Sequence, residues 1–265
     1  MAQHNPGLVC PPASTHPEQG PAARRRGPLR PTAAIARDVL LPDDPALALA
    51  LAQQLLIRPR MANHSFGLWG YTGEAKLGGE LTVQAGGIGA PSLGSVVSDL
   101  AAHGASRIVR LGRCRALERG LRLGEALIVA AAFPGDGISL ALGAIDTLEP
   151  DPALAAALAG AAPEMRLAQI ASVDFLAASG LEDAEGAGEP SVAIALDLET
   201  AALFALCQGL GLTAGALLVV SESAAGAPLA DEDLARQALE LGGAAARALA
   251  AGAVQASASE TASLL

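Results

Sequence analysis

Two short runs, ALIVAAA at residues 126–132 and ALLVV at residues 216–220, pair strand-forming residues with an unbroken apolar character. A strand with one face in water alternates apolar and polar residues, so a short run that is apolar throughout fits a strand buried on both faces. Burial on both faces requires a layer of helices on each side of the sheet. That requirement places the chain in the α/β class, as a three-layer sandwich around a central mixed β-sheet.

The rest of the sequence alternates in the same way. Residues 36–41 form a short strand ended by Pro42, and Pro45 opens a helix, where proline is tolerated at the first position. ELTVQ at residues 80–84 is a strand that runs into Gly86-Gly87-Ile88-Gly89, and Pro91-Ser92 starts a helix reaching about His103. Strands follow at residues 107–111, 125–132, 166–173 and 191–198, with a helix at residues 151–158. No charge occurs between Glu199 and Glu222, a run long enough to span a bilayer. It changes character midway, however. ETAALFALCQGLG is a buried helix ended by glycine, and AGALLVVSES is a strand, so a helix–turn–strand unit explains the run and no membrane partner is expected. Residues 231–251 make a last long helix.

At 265 residues the chain suits one large domain. Half of it is apolar, but aromatics supply only 2%, so the core must be built from aliphatic side chains packed closely. Residues 1–34 hold most of the early prolines together with Arg24, Arg25, Arg26 and Arg30, and are expected to be a disordered leader. Residues 35–252 are expected to form the single domain, and the Ser/Ala-rich residues 253–265 a flexible tail. The net charge is −10, and the acidic body argues against a nucleic-acid partner. Cys10, Cys114 and Cys207 match no disulfide framework and no zinc motif. Reduced thiols and a cytoplasmic location are the simplest expectation, with no metal and no organic cofactor.

Four places can carry chemistry. The turn AGGIGAPS at residues 85–92 aims backbone N–H groups, that of Gly87 among them, at an anion, or is simply a tight turn. Arg110, Arg113 and Arg115 lie near a strand end, where open α/β sheets bind ligands, and form an anion site or a solvated basic turn. Asp197 and Glu199 end a strand in apolar surroundings; Glu199 accepts hydrogen bonds from sugar hydroxyls or rests near a helix N-terminus. Glu222 follows the ALLVV strand and is a general acid or a loop glutamate in water. No histidine is placed by sequence to complete a Ser-His-Asp triad.

In this order the landmarks resemble one family. LLPDDP (40–45), GLWGYTGEAKLGGELTVQAGGIGAPS (67–92), ASRIVRLGRCRALERGLRLGEALIVAAA (105–132), ALDLETAALFAL (195–206) and LLVVSES (217–223) are similar to segments of the hexameric purine nucleoside phosphorylases and the uridine phosphorylases. The GYTG turn and the glycine-rich helix start are the most specific. The resemblance implies a nucleoside phosphorylase-like fold and cleavage of an N-glycosidic bond, with phosphate as co-substrate. It implies a nucleoside-like small-molecule ligand and a homodimer or a hexamer built from dimers. Glu199 matches the glutamate that grips the ribose hydroxyls, and Leu198 stands beside it where methionine is usual. Arg110 matches a phosphate-contacting arginine, with Arg113 and Gly87 as further anion contacts. Glu222 stands at the position of the acid that protonates a purine, and Arg236 resembles the helix arginine that pairs with it. Phe175 is the ring left near the base pocket.

The same resemblance marks departures around phosphate. Asp43 takes the place of a glycine whose backbone touches phosphate. Leu47 and Phe66 take the places of two arginines, and Gly112-Arg113-Cys114-Arg115 replaces a Gly-(Ser/Thr)-Cys-Gly turn. Three functions are therefore open: a divergent nucleoside phosphorylase, a nucleosidase or other repurposed enzyme that does not use phosphate, and a non-catalytic ligand-binding or partner subunit.

Overall fold

A computed structural model of the protein describes residues 27–176, 193–223 and 227–263. Nine strands form one mixed sheet in the order β2-β3-β4-β1-β5-β8-β7-β6-β9. In chain order they are β1 (Asp38–Pro42), β2 (Leu56–Asn63), β3 (Gly70–Ala75), β4 (Glu80–Gln84), β5 (Arg107–Ala116), β6 (Ala126–Gly135), β7 (Arg166–Val173), β8 (Ala195–Asp197) and β9 (Thr213–Ser223). The helices are α1 (Pro45–Leu55), α2 (Ala90–Ala102), α3 (Gly137–Ala141), α4 (Pro152–Ala161), α5 (Thr200–Leu210) and α6 (Asp231–Ser263). The α1, α4 and α6 helices pack together on one side of the sheet, and α2, α3 and α5 on the other. This is the expected three-layer arrangement. One half of the sheet also curls, because β9 pairs in parallel with β5 and antiparallel with β6, so that β5, β8, β7, β6 and β9 close into a ring.

The two apolar runs explain where the core sits. Leu127, Ile128 and Val129 on β6 and Leu217, Leu218 and Val219 on β9 are all buried, with alternate residues feeding the two helix layers. Phe204 is the large ring of one layer and Tyr71 that of the other; the remaining packing is by Leu, Val, Ile and Ala, with Cys114 and Cys207 in the same layer as Phe204. Cys207 is buried on α5, as its apolar helical setting predicts, and burial pushes its thiol up to about 12.

Several expectations change. The GYTG segment is not a turn but the start of β3, paired on both sides. Its partner β2 escapes a pattern reading because LIRPRMAN is polar and contains Pro59; it lies at the end of the strand order, where proline costs the sheet no hydrogen bond. The arginine segment RLGRCR is not a turn either. β5 continues through it to Ala116, which buries Arg110, Gly112 and Cys114 and leaves Arg113 exposed. At the N-terminus, packing begins inside the expected leader. Leu29 is buried and its N–H donates to Asp99 Oδ2 at 2.8 Å, and Thr32 N–H donates to Ala62 O at 2.7 Å. Residues 1–26 of that leader lie outside the described residues. The last helix runs on to Ser263, through most of the expected tail. No helix among the described residues is long and apolar enough to cross a membrane.

Candidate active site

The site gathers at the C-terminal ends of β1, β8 and β9 around one side chain of β5. Arg110 lies between two parallel neighbours, opposite Leu41 of β1 and Ala216 of β9, and its side chain is wholly buried. Its guanidinium fits because Gly112, two residues on and on the same face, has no side chain. A Cβ there would stand 2.1 Å from Arg110 Nη1.

A buried guanidinium must be paired and hydrogen-bonded. Nη1 of Arg110 lies 3.0 Å from Asp197 Oδ2 and donates to Thr200 Oγ1 at 3.2 Å. Nη2 donates to Glu199 Oε2 and lies 3.4 Å from Asp43 Oδ1. Nε has no hydrogen-bond partner among the described residues. Burial alone would make Arg110 easier to deprotonate, but Asp43, Glu199 and Asp197 outweigh it and hold the proton more firmly than usual.

Each carboxylate is placed by a different element. Asp43 follows β1 and immediately precedes Asp44, whose side chain caps α1 by accepting from Ala46 N–H at 2.6 Å. Asp197 ends β8 and is buried; it accepts from Ser172 Oγ at 2.5 Å and from Thr200 N–H at 3.1 Å, tying β7 and the start of α5 together. Glu199 is held from its other side, since Gly89 N–H donates to Oε1 at 2.7 Å. Three carboxylates thus face one buried guanidinium. Asp43 bears the consequence: burial raises its carboxyl to about 7 against the pull of Arg110, with Glu199 adding to the rise.

Beside this cluster is a cavity of about 210 Å³ lined by Asp43, Ile88, Arg113, Cys114, Leu176, Asp197, Leu198, Glu199, Ser221 and Glu222. The structure therefore brings together Arg110, Arg113, Leu198, Glu199 and Glu222 of the expected site residues. Glu222 is exposed at its rim. Arg113 is exposed as well and makes no hydrogen bond or ion pair among the described residues.

Three other expected residues are placed differently. Gly87 does adopt a positive φ of 75°, but its N–H donates to Asp43 O at 3.2 Å; in this turn it is the Gly89 N–H that meets an anionic group, Glu199. Phe175 is 65% exposed and outside the cavity wall, where its neighbour Leu176 stands instead; the rest of its segment, residues 177–192, lies outside the described residues. Arg236 is exposed on α6 and pairs with Asp233 one turn away, not with Glu222. A helical neighbour three residues off is always within reach, and an exposed guanidinium loses little water by taking it. Ser172 and Thr200 are the site residues the sequence reading passes over. Their signal was a serine at a buried β7 position and a threonine three residues after Asp197 at a helix start.

The family model of the phosphorylase superfamily matches residues 39–257, which take in every element of this site. The chain belongs to the phosphorylase superfamily. Among curated relatives of this superfamily member, the DeoD-type purine nucleoside phosphorylase of Alkaliphilus metalliredigens (strain QYMF) is 28% identical over 199 residues, covering 71% of this chain and 83% of the relative. That of Bacillus thuringiensis (strain Al Hakam) is 27% identical over 201 residues, with 71% and 82% covered. That of Mycoplasma pneumoniae is 36% identical over a shorter stretch of 100 residues, 37% of this chain and 42% of the relative. Membership in the nucleoside phosphorylase family and the mixed α/β fold agree with the expectations drawn from the sequence landmarks.

Proposed function

We propose that this superfamily member cleaves the N-glycosidic bond of a nucleoside-like ligand without using phosphate. The observation that carries this reading is the Asp43–Arg110 pair. A phosphate dianion needs surplus positive charge, and the buried guanidinium is already faced by Asp43, Asp197 and Glu199. Each hydrogen bond to a charged group that phosphate forgoes is worth about 1.5–3 kcal/mol. Loss of two, at the positions of Leu47 and Phe66, weakens phosphate binding by roughly two to four powers of ten.

The same carboxylate supports a positive role. A base that works near neutral pH is most effective with a pKa close to 7, and Asp43 is held at about 7 by burial. In this reading Asp43 takes a proton from water as the water oxygen bonds to C1′ and the bond from C1′ to the base nitrogen breaks. Glu199 orients the sugar. Its two oxygens each have one partner, and a carboxylate has about four acceptor sites, so sugar hydroxyls can still donate to it. Glu222, at the cavity rim, supplies a proton to the departing base, and Leu198 and Leu176 give the base an apolar wall. Homo-oligomers built from dimers go with this reading, and the exposed Phe66 and Ile88 are apolar side chains such contacts would cover.

Two observations favour phosphorolysis instead. Arg113 lines the same cavity, exposed and without an ion pair among the described residues, and the relatives are named as phosphorylases. The deciding experiment is base release from adenosine, inosine and uridine with and without inorganic phosphate. Equal rates and free ribose as product are expected. Strict phosphate dependence with a sugar 1-phosphate as product overturns the proposal.

A further inference from the structure

The side of the site beside Leu47 does not close; it opens into a second cavity. Between α1, the end of β5 and α6 lies a cleft of about 420 Å³. Its walls include Leu47 and Ala50, one turn apart on α1, and Leu234 and Ala238, one turn apart on α6. Asp43 and Arg113 line this cleft and also line the smaller cavity that holds Glu199 and Glu222. The two spaces therefore meet at the carboxylate proposed as the base. The cleft's volume lies within the roughly 300–1,000 Å³ of ordinary small-molecule sites, with mainly apolar walls that also carry Asp43, Asp44, Arg113 and Asp231.

We infer that the α1–α6 cleft is an acceptor subsite for a small alcohol with an apolar body, whose hydroxyl meets Asp43 so that the glycosyl group passes to that alcohol as well as to water. The inference rests on the phosphate-independent reading of the site. The chemistry balances without an added reagent. The bond from C1′ to the base nitrogen breaks, and the base leaves with its electron pair and gains a proton from Glu222. The alcohol oxygen bonds to C1′, and its proton goes to Asp43. Both side chains then exchange protons with solvent, and the net result is nucleoside plus alcohol giving an alkyl glycoside plus free base. Water and phosphate have no apolar body, so neither makes use of Leu47, Ala50, Leu234 or Ala238. An alkyl chain does, and each methylene buried there favours the alcohol by roughly fourfold.

The test uses the full chain with adenosine, inosine or uridine as donor and methanol, 1-butanol or 1-hexanol at equal concentration. Mass spectrometry reads the ratio of alkyl riboside to free ribose. The ratio is expected to climb from methanol to hexanol and to saturate with hexanol concentration. It is expected to fall at least about tenfold in Leu47→Trp and in Ala50→Phe, which fill the cleft from one wall. Because the ratio is internal to each reaction, it does not depend on how much of a variant is folded. Base release with ribose as the only sugar product, or a ratio indifferent to chain length and to both variants, overturns the acceptor subsite and leaves the hydrolytic reading standing. Absence of base release from every donor overturns that reading and the subsite with it.

Discussion

Oδ1 of Asp43 lies 3.4 Å from Nη2 of Arg110, so a carboxylate of the chain itself occupies one side of the buried guanidinium. The family resemblance drawn from the sequence implies a glycine at this position. Asp43→Gly should therefore free that side of Arg110 and admit an anion. Calorimetry with inorganic phosphate is expected to show binding tighter by about ten- to a hundredfold than in the unaltered chain, the equivalent of one charged hydrogen bond. Equal phosphate affinity in the two proteins would mean that something other than Asp43 excludes the anion.

The raised pKa of Asp43 makes stability depend on pH in a definite direction. Its ordinary value is 3.8 and burial lifts it to about 7 in the folded chain. Between those values the folded state holds a proton that the unfolded state has lost, so raising the pH favours unfolding. The contribution is fully present below about 4 and is lost as pH climbs through about 7. Asp43→Asn lacks it. The stability of the unaltered chain minus that of Asp43→Asn, from urea melts, should fall by on the order of 2–4 kcal/mol between pH 4 and pH 8. A difference that is flat across this range contradicts the assignment. Turnover of a nitrophenyl riboside, whose leaving group needs no proton from Glu222, moves the other way because the base must be ionised: kcat/KM should rise with pH up to about 7 and then level.

Arg110 is the counterion for three carboxylates, two of them almost fully buried. Removing one member of a buried ionic cluster leaves the others uncompensated, which costs about 3–5 kcal/mol. Arg110→Met is expected to lose that much in denaturant melts at pH 7. Part should return below pH 5, where the stranded carboxyls can protonate. A loss under about 1 kcal/mol would show that the cluster is better solvated than its burial implies.

What could be read from the sequence, and what could not, follows from the range over which each residue's environment is set. The strands ELTVQ and RLAQIASV were legible to the residue because their own patterns specify burial. β2 was not, because what makes it a strand is pairing with β3 and not its own composition. Arg110 and Glu199 could be picked out as candidates, Arg110 from its place near a strand end and Glu199 because a carboxylate in apolar surroundings is costly to bury without a partner. That they satisfy one another was not legible, because the pairing spans 89 positions and depends on how β5 and β8 meet. Arg236 misled for the converse reason. The family resemblance points it at Glu222, while the local helix offers Asp233 three residues away.

Gly112 tests the packing that permits the cluster. It sits in the middle of β5, a place where alanine would ordinarily be no worse than glycine. Here the added Cβ meets the Arg110 guanidinium at 2.1 Å, and Arg110 has carboxylates on its other sides, so it cannot simply swing away. Gly112→Ala should destabilise by about 1–3 kcal/mol, the usual range for overpacking. It should also lower base release more than it lowers stability, because the displaced guanidinium no longer fixes Asp43 and Glu199. Unchanged turnover together with an unchanged melt would place the Arg110 side chain elsewhere.

Glu222 and Arg236 separate the resemblance from the geometry. If the helix arginine worked on the acid, replacing either would produce a similar loss. In the structure Arg236 is exposed and paired with Asp233, while Glu222 lines the cavity. Arg236→Ala should then change stability by no more than about 0.5 kcal/mol, as surface substitutions generally do. Its base-release rate should be within about twofold of the unaltered chain. Glu222→Gln keeps the shape but cannot donate the carboxyl proton, and loss of general acid catalysis typically costs about 10²–10⁴ in rate. The loss should be greatest for nucleosides whose base is a poor leaving group. It should shrink for a nitrophenyl riboside, whose leaving group needs no proton. Equal losses in Arg236→Ala and Glu222→Gln would mean that α6 turns its arginine into the cavity during turnover, and the acid would then be a pair.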